Sequence, residues 1–222
     1  KYGQSQILNG VDLQARQGEV SCLMGTNGVG KTSLLNAIAG THPRAGGDVS
    51  FLGETLGALP AHVMAQKGIA YVPQGREIFP LMTVQENLET GFACLPKAAQ
   101  AVPDEIYELF PVLKDMKNRR GGDLSGGQQQ QLAIGRALVT KPKLLLLDEP
   151  TAGIQPNIIQ QIGKVIAYLR DQGEMAILLV EQYFDFGYDL ASSIYVMKRG
   201  KIDLQGKKSD LNKGTLLDAL SV

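Results

Sequence analysis

Uninterrupted apolar runs, bounded by glycine, proline or charged residues, predict strands that are buried on both faces. One is 144–147, directly before Asp148, another is 175–180, and 20–24, interrupted only by Ser21, has the same character. Such runs are typical of central strands in a parallel sheet that has helices on both sides. Four further strands are predicted, at 49–52, 68–72, 194–197 and 201–204. The pattern therefore predicts an α/β fold.

The N-terminal part of the chain is expected to add antiparallel pairing. Asn9-Gly10 is a dipeptide typical of tight hairpin turns. Residues 11–15 alternate between apolar and polar, as a half-buried strand does. We therefore expect a mixed sheet, with an antiparallel β part joined to the parallel core.

Residues 83–140 have a helical pattern and no convincing strand. Thr83 and Glu86 are spaced as a capping box, which predicts a helix from there to about residue 94. Pro103 is expected to open a second helix as its first residue, and a third is expected from about 129 to 139. These helices are interpreted as an insert in the α/β core.

The predicted organisation is one domain in two parts. Its length of 222 residues is that of a single domain with a substantial core. The core lobe is expected at about 1–82 and 141–222, and the helical subdomain at about 83–140. In the second part of the core lobe, one helix is expected between Pro156 and Gly173 and another from about Ser209.

Charge, hydropathy and cysteine content limit which partners and which compartment fit the chain. Lys plus Arg and Asp plus Glu both number 22, so net charge gives no indication of a nucleic-acid partner. No apolar run approaches the roughly 20 residues that cross a bilayer, and we expect the chain not to span a membrane by itself. Two cysteines make no disulfide framework, which favours a reducing compartment. Because residue 1 is Lys, we expect a short N-terminal piece to precede it.

The clearest chemical signal is a phosphate loop at residues 25–32, with the pattern G-x-x-x-x-G-K-[ST] between a predicted strand and a predicted helix. Its glycines allow backbone N–H groups to surround phosphate oxygens, and the following helix adds its positive end. Lys31 is expected to reach the β- and γ-phosphates, and the Thr32 hydroxyl to hold Mg²⁺. The candidate ATP-binding residues here are Asn27, Gly28, Gly30, Lys31, Thr32 and Ser33.

Asp148 and Glu149 follow the four-leucine run, at the edge where open α/β sheets bind ligands. Asp148 is a candidate ligand of the same Mg²⁺, and Glu149 a candidate base that polarises the attacking water. Acidic pairs after strands also serve simply as helix starters. The phosphate loop upstream favours the catalytic interpretation.

Leu124 to Gln128 read Leu-Ser-Gly-Gly-Gln at the start of a predicted helix. Together with the phosphate loop and the Asp-Glu pair, this sequence resembles the signature of ABC ATPases, and the resemblance extends over essentially the whole chain. It implies the P-loop NTPase fold of the ABC ATPase type. Ser125, Gly127 and Gln128 would form a second anion site, which closes over ATP held by another subunit packed head to tail.

Further positions are assigned only through this resemblance. Gln74 matches the glutamine loop, which senses Mg²⁺ and the attacking water, and Tyr2 lies where the family has an aromatic residue that stacks on adenine. Two residues depart from the family pattern. Gln155 replaces an Asp, and Gln182 replaces the switch histidine. Glutamine can hydrogen-bond a γ-phosphate but cannot carry positive charge, so we expect slower hydrolysis.

Finer details resemble the ATPases of branched-chain amino acid importers. The run 71–80, followed by Thr83-Val84-Gln85-Glu86-Asn87-Leu88, carries this likeness, and the runs 153–156 and 176–183 are similar to the urea-uptake type. The resemblance implies a heterodimer with a second ATPase subunit, two transmembrane permease subunits and, indirectly, a substrate-binding protein. It also implies a peripheral location on the cytoplasmic face of a bacterial membrane.

The leading functional hypothesis is an ATPase that energises import of urea or short amides. The alternatives are a branched-chain amino acid importer ATPase and a regulatory subunit that binds nucleotide without hydrolysing it. An ABC ATPase acting on ribosomes or DNA is disfavoured by the even charge. Phe79, Leu81 and Met82 are interpreted either as anchors for the permeases, within 75–92, or as subdomain core.

Overall fold

The computed structural model describes residues 6–221. Within that range it contains eight strands: β1 (Val20–Met24), β2 (Val49–Phe51), β3 (Glu54–Leu56), β4 (Ile69–Val72), β5 (Leu144–Asp148), β6 (Ala176–Glu181), β7 (Ser193–Lys198) and β8 (Lys201–Lys207). Six of them form one sheet in the order β4-β5-β6-β1-β7-β8, and β2 and β3 form a separate pair. In the large sheet only the β7–β8 pairing is antiparallel.

The described α-helices are α1 (Lys31–Ala39), α2 (Ala61–Gln66), α3 (Val84–Glu89), α4 (Asp104–Leu109), α5 (Pro111–Asp115), α6 (Gly126–Val139), α7 (Pro156–Gln172), α8 (Phe184–Leu190) and α9 (Lys213–Leu220). Short 3-10 helices span Thr90–Cys94, Lys97–Ala99, Gly121–Asp123 and Lys208–Asp210. No helix in residues 6–221 is both long and apolar enough to cross a membrane.

Two apolar layers cover the faces of the large sheet. Along β5, Leu145 and Leu147 pack in one layer, with residues of α6, α7 and α8, while Leu146 packs in the other, with Leu34 and Leu35 of α1. Because successive strand residues point to opposite faces, a run of four leucines fills both layers. The prediction of an α/β fold with a mixed sheet is confirmed.

The antiparallel pairing lies elsewhere than expected. Residues 11–15 do alternate between half-buried and exposed, but they form no strand. The backbone N–H of Gln14 donates to the Tyr195 hydroxyl, at 3.2 Å, and its carbonyl accepts from Ser21 Oγ, at 2.9 Å. Side chains thus satisfy backbone groups that would otherwise pair with a strand. The prediction of a strand here was wrong, because alternation reports burial and not pairing.

Helix starts in the region 83–140 follow their caps. The box of Thr83 and Glu86 is present, and so is a second box that begins α6 at Gly126, three residues before the predicted start. Pro103 caps α4 and is not its first residue. Apart from a single bridge between Thr83 and Arg120, the region has no strand pairing. The division into a core lobe and a helical subdomain stays a prediction.

Candidate nucleotide site

The phosphate loop joins β1 to α1, and its glycines meet specific steric demands. A Cβ at Gly25 would lie 2.6 Å from the Met197 carbonyl oxygen. Gly28 and Gly30 have φ values of 80° and 113°, which residues with a Cβ rarely adopt. Asn27 is exposed at the tip of the loop, and Ser33 lines an adjoining cleft of about 320 Å³. The loop geometry is that expected of a backbone cradle for phosphate.

Lys31 is buried beneath this loop. Its ammonium group donates to the carbonyl oxygens of Gly25, at 2.7 Å, and Thr26, at 3.1 Å. It also forms an ion pair with Glu149 Oε1, at 3.1 Å, in which the two side chains are only 4% and 10% exposed. Residues separated by more than a hundred positions therefore meet at one point, as sequence reasoning expected of the phosphate loop and the Asp-Glu pair.

Glu149 also connects to the glutamine loop. Gln74 Nε2 donates to Glu149 Oε2 at 3.0 Å, so both carboxylate oxygens have partners. Glu149 has φ of 46°, an unusual conformation for a residue with a side chain. The Glu149 N–H donates to Val180 O at 2.9 Å, which helps to hold that conformation. Such strain is often found at functional sites.

Asp148 is the most buried carboxylate of the candidate metal site. Burial raises the pKa of its carboxyl, and hydrogen bonds from the Thr32 and Tyr71 side chains oppose that rise. The Tyr71 hydroxyl donates to Asp148 Oδ2 at 3.2 Å. Asp148 Oδ1 is buried and has no hydrogen-bond partner in the described structure. A buried carboxylate oxygen with a free lone pair, next to a threonine hydroxyl, is the kind of oxygen donor set that suits Mg²⁺.

Gln182 lies in the loop that follows β6. Gln182 and Glu149 line an open cleft of about 300 Å³, together with Thr151, Glu181 and Tyr183. Gln182 is exposed, and no described hydrogen bond involves its side chain. The structure therefore brings Gln182 and Glu149 to one cleft, with the Gln182 amide free to meet a ligand.

The candidate signature residues form the start of α6. Ser125 Oγ accepts from the Gln128 N–H, at 3.4 Å, and Gln128 Oε1 accepts from the Ser125 N–H, at 2.9 Å. No described hydrogen bond or ion pair joins these residues to the phosphate loop. The Gln128 side chain therefore already has a structural task, which is to cap the helix. Other N–H groups of the first helical turn stay available to bind an anion.

Gly127 permits close packing of α6 against α7. A Cβ at this position would lie 2.9 Å from Ile158 Cγ1 and 3.1 Å from Ile158 Cγ2. We expect Gly127→Ala to lower the free energy of unfolding by about 1–3 kcal/mol, because the two helices must separate. Denaturant titration measures this loss. Gly57→Ala is the matched control, since a Cβ there meets nothing within 4 Å.

A second variant tests whether the contact with Ile158 is the cause of this loss. Ile158→Ala removes both γ-carbons, so Gly127→Ala added to that variant is expected to cost far less than it costs alone. An equal cost in both backgrounds would show that the steric argument is mistaken.

Sequence reasoning did not identify three contacts that shape this region. Tyr71 holds Asp148, Glu181 contacts the loops on either side of the cleft, and the Arg76 guanidinium lies against Gly126. A charged residue at the end of an apolar strand was the available signal for Glu181. Nothing local distinguishes Tyr71. Tyr2, the candidate adenine-stacking residue, lies outside the described residues.

Comparison with known proteins agrees with this geometry. Residues 8–152 match the family model "ABC transporter". Over 202 residues the chain is 45% identical to the high-affinity branched-chain amino acid transport ATP-binding protein BraG of Pseudomonas aeruginosa, covering 90% of this chain and 86% of that protein. It is 35% identical to a probable branched-chain amino acid transport ATP-binding protein, LivF, of Archaeoglobus fulgidus, covering 95% and 89%.

One similar solved structure was captured in a defined functional state. The chain superimposes with a TM-score of 0.81 and 25% identity on an ATP-binding cassette in a dimeric post-hydrolysis state with ADP and phosphate bound, covering 91% of this chain and 90% of that one. The fold and the arrangement of strands and helices are thus those of a nucleotide-hydrolysing cassette.

Proposed function

Since the chain belongs to the ABC transporter family of ATPases, we propose that it is the ATP-hydrolysing subunit of an importer for branched-chain amino acids. The meeting of Lys31, Glu149 and Gln74 at the carboxyl end of the sheet carries the hydrolytic part of the proposal. The 45% identity to BraG carries the substrate part.

In this proposal each residue has a separate task. The phosphate loop and Lys31 bind the phosphates, and Glu149 accepts the proton of the attacking water. Gln74 orients Glu149 through its hydrogen bond to Oε2. Thr32 and Asp148 would hold Mg²⁺, which neutralises charge on the phosphates when it is bound.

The second anion site implies a dimer. ABC ATPases work as dimers with transmembrane permeases, and Ser125, Gly127 and Gln128 would contact the ATP of the partner subunit. We further propose a heterodimer with another ATPase, two permeases, a binding protein that delivers substrate, and a peripheral position at the cytoplasmic face of a bacterial membrane. An even charge balance supports protein partners over nucleic acid.

The comparisons favour the amino acid alternative over the urea hypothesis. Both relatives described above are named for branched-chain amino acid transport, and neither is named for urea. Urea or short amides therefore remain a sequence-based prediction that rests on the runs 153–156 and 176–183 alone.

Gln182 is expected to limit the rate at this site. A neutral amide stabilises developing charge on the γ-phosphate less than an imidazolium does. Gln182→His is expected to raise ATP turnover of the assembled complex by about 3- to 10-fold. This is less than the effect of removing a hydrogen-bond donor altogether, because glutamine already donates one. Steady-state phosphate release measures it. An unchanged rate would remove Gln182 from the rate-limiting chemistry.

The test of the proposed function is stimulated ATP hydrolysis. The complex that co-purifies with this chain is reconstituted in liposomes and offered leucine, isoleucine, valine, urea and acetamide separately. Stimulation by the branched-chain amino acids is expected. Stimulation by urea alone would overturn the substrate assignment and keep the ATPase. Tight ATP binding without turnover under every condition would favour a regulatory subunit.

A further inference from the structure

Glu181 is a buried carboxylate for which the hydrolytic scheme above has no task. It is the last residue of β6, only 1% exposed, and pairs in register with Met24 at the end of β1. No described ion pair includes it. A buried carboxylate without a cation is costly unless hydrogen bonds compensate it, so its partners indicate why it is there.

Those partners lie on two loops, and three of them are backbone N–H groups. Glu181 Oε1 accepts from the Thr151 N–H at 3.2 Å, and Oε2 accepts from the N–H groups of Gln182, at 3.1 Å, and Tyr183, at 3.2 Å. Burial raises the pKa of the carboxyl, while hydrogen bonds from Thr151, Tyr183 and Gln182 oppose the rise. All of its described hydrogen bonds come from these two loops.

The two loops carry the groups that face the γ-phosphate in the proposed function. Thr151 is two residues after Glu149, in a turn in which Glu149 has a φ of 46° and its carbonyl accepts from the Ala152 N–H at 3.1 Å. Gln182 and Tyr183 begin the loop after β6. One carboxylate thus links the turn of the candidate base to the loop of the candidate switch residue, and all of them line one cleft.

We propose that Glu181 is a positioning residue for ATP hydrolysis, whose carboxylate fixes the distance between the Glu149 turn and the Gln182 loop. This inference rests on the proposed function. It adds that one side chain holds the Glu149 turn and the Gln182 loop together. A carboxylate is needed because both of its oxygens accept hydrogen bonds, whereas an amide has a single acceptor oxygen. An amide in its place turns an NH₂ group toward a backbone donor.

The test compares Glu181→Gln with Glu174→Gln. Glu174 is exposed and precedes the opposite end of the same strand, so it controls for loss of one charge. Glu181→Gln is expected to lower kcat for Mg·ATP on the order of 10- to 100-fold, the cost of misplacing reacting groups by about 1 Å. KM and the Kd for ATP are expected to change less than twofold, because the phosphate loop is untouched.

Several outcomes would overturn the proposal. An unchanged kcat in folded Glu181→Gln protein would do so, and so would parallel losses in ATP affinity, kcat and thermal stability, which indicate a purely structural role. If Glu181→Gln fails to fold, Thr151→Val tests the proposal in its place. It removes the Thr151 hydroxyl that also bonds Glu181 and is expected to lower kcat several-fold at constant KM, and an unchanged kcat refutes the proposal. If the wild-type complex itself does not turn over ATP, the proposed function fails instead.

Discussion

Glu149→Gln is expected to lower ATP turnover by at least about 100-fold while ATP binding is retained. A general base contributes typically 10²–10⁴ to a rate, and glutamine cannot accept the proton. The amide oxygen can still accept from Lys31, and the substitution preserves shape, so the folded state is expected to persist. Phosphate release and nucleotide binding, measured on the same preparation, separate the two effects.

The same substitution should trap the dimer. If hydrolysis releases the two subunits, a variant that binds ATP without hydrolysing it is expected to elute as an ATP-dependent dimer. Glu108→Gln, an exposed substitution on α4, is the matched control and should behave as wild type. Wild-type turnover in Glu149→Gln would mean that the base is another group, and would leave this carboxylate its contacts with Lys31 and Gln74.

Sequence patterns predicted the parts of this molecule that local physics determines. The leucine run of β5 fills two apolar layers, as expected of a central strand, and the capping box at Thr83 marked where α3 begins. The box at Ser125 was not recognised, and α6 begins three residues before its predicted start. The phosphate loop followed from glycines that must take positive φ or approach another backbone closely. For the strand and the helix cap the cause lies in neighbouring residues, whereas Gly25 is required by the distant Met197 carbonyl, and only its motif spacing revealed it.

Apart from the meeting of the phosphate loop with the Asp-Glu pair, contacts between distant segments were beyond that reasoning. Alternation at 11–15 correctly indicated which side chains are half-buried, but the partner of Gln14 proved to be the Tyr195 hydroxyl, 181 positions away. The links of Tyr71 to Asp148 and of Glu181 to Thr151 likewise depend on which strands lie side by side. The strand order places β4 next to β5 and β5 next to β6, and no local pattern encodes that order.

The ion pair of Lys31 and Glu149 makes a prediction about stability that is separate from catalysis. Lys31→Met leaves a carboxylate that is only 10% exposed without its cation. Removing one partner of a buried pair costs about 3 kcal/mol or more, so the free energy of unfolding is expected to fall by about that amount. In a Glu149→Gln background no charge is left unpaired, and the cost of Lys31→Met should be smaller by about 1–3 kcal/mol. Chemical denaturation of the four proteins measures this coupling.

ATP affinity should not follow the same pattern. Lys31 is proposed to contact the phosphates directly, and a hydrogen bond to a charged group contributes about 1.5–3 kcal/mol. In the Glu149→Gln background Lys31→Met is therefore expected to weaken ATP binding by roughly 10- to 100-fold, with Lys164→Met on the exposed side of α7 as the control. In the wild-type background the loss is expected to be smaller, because ATP binding there must also break the ion pair with Glu149, which Lys31→Met removes in advance. Lys31 thus exchanges one partner for another, the carboxylate in the nucleotide-free fold for the phosphates once ATP binds. Additive stability losses would contradict the first partner, and unaltered ATP affinity of Lys31→Met in the Glu149→Gln background would contradict the second.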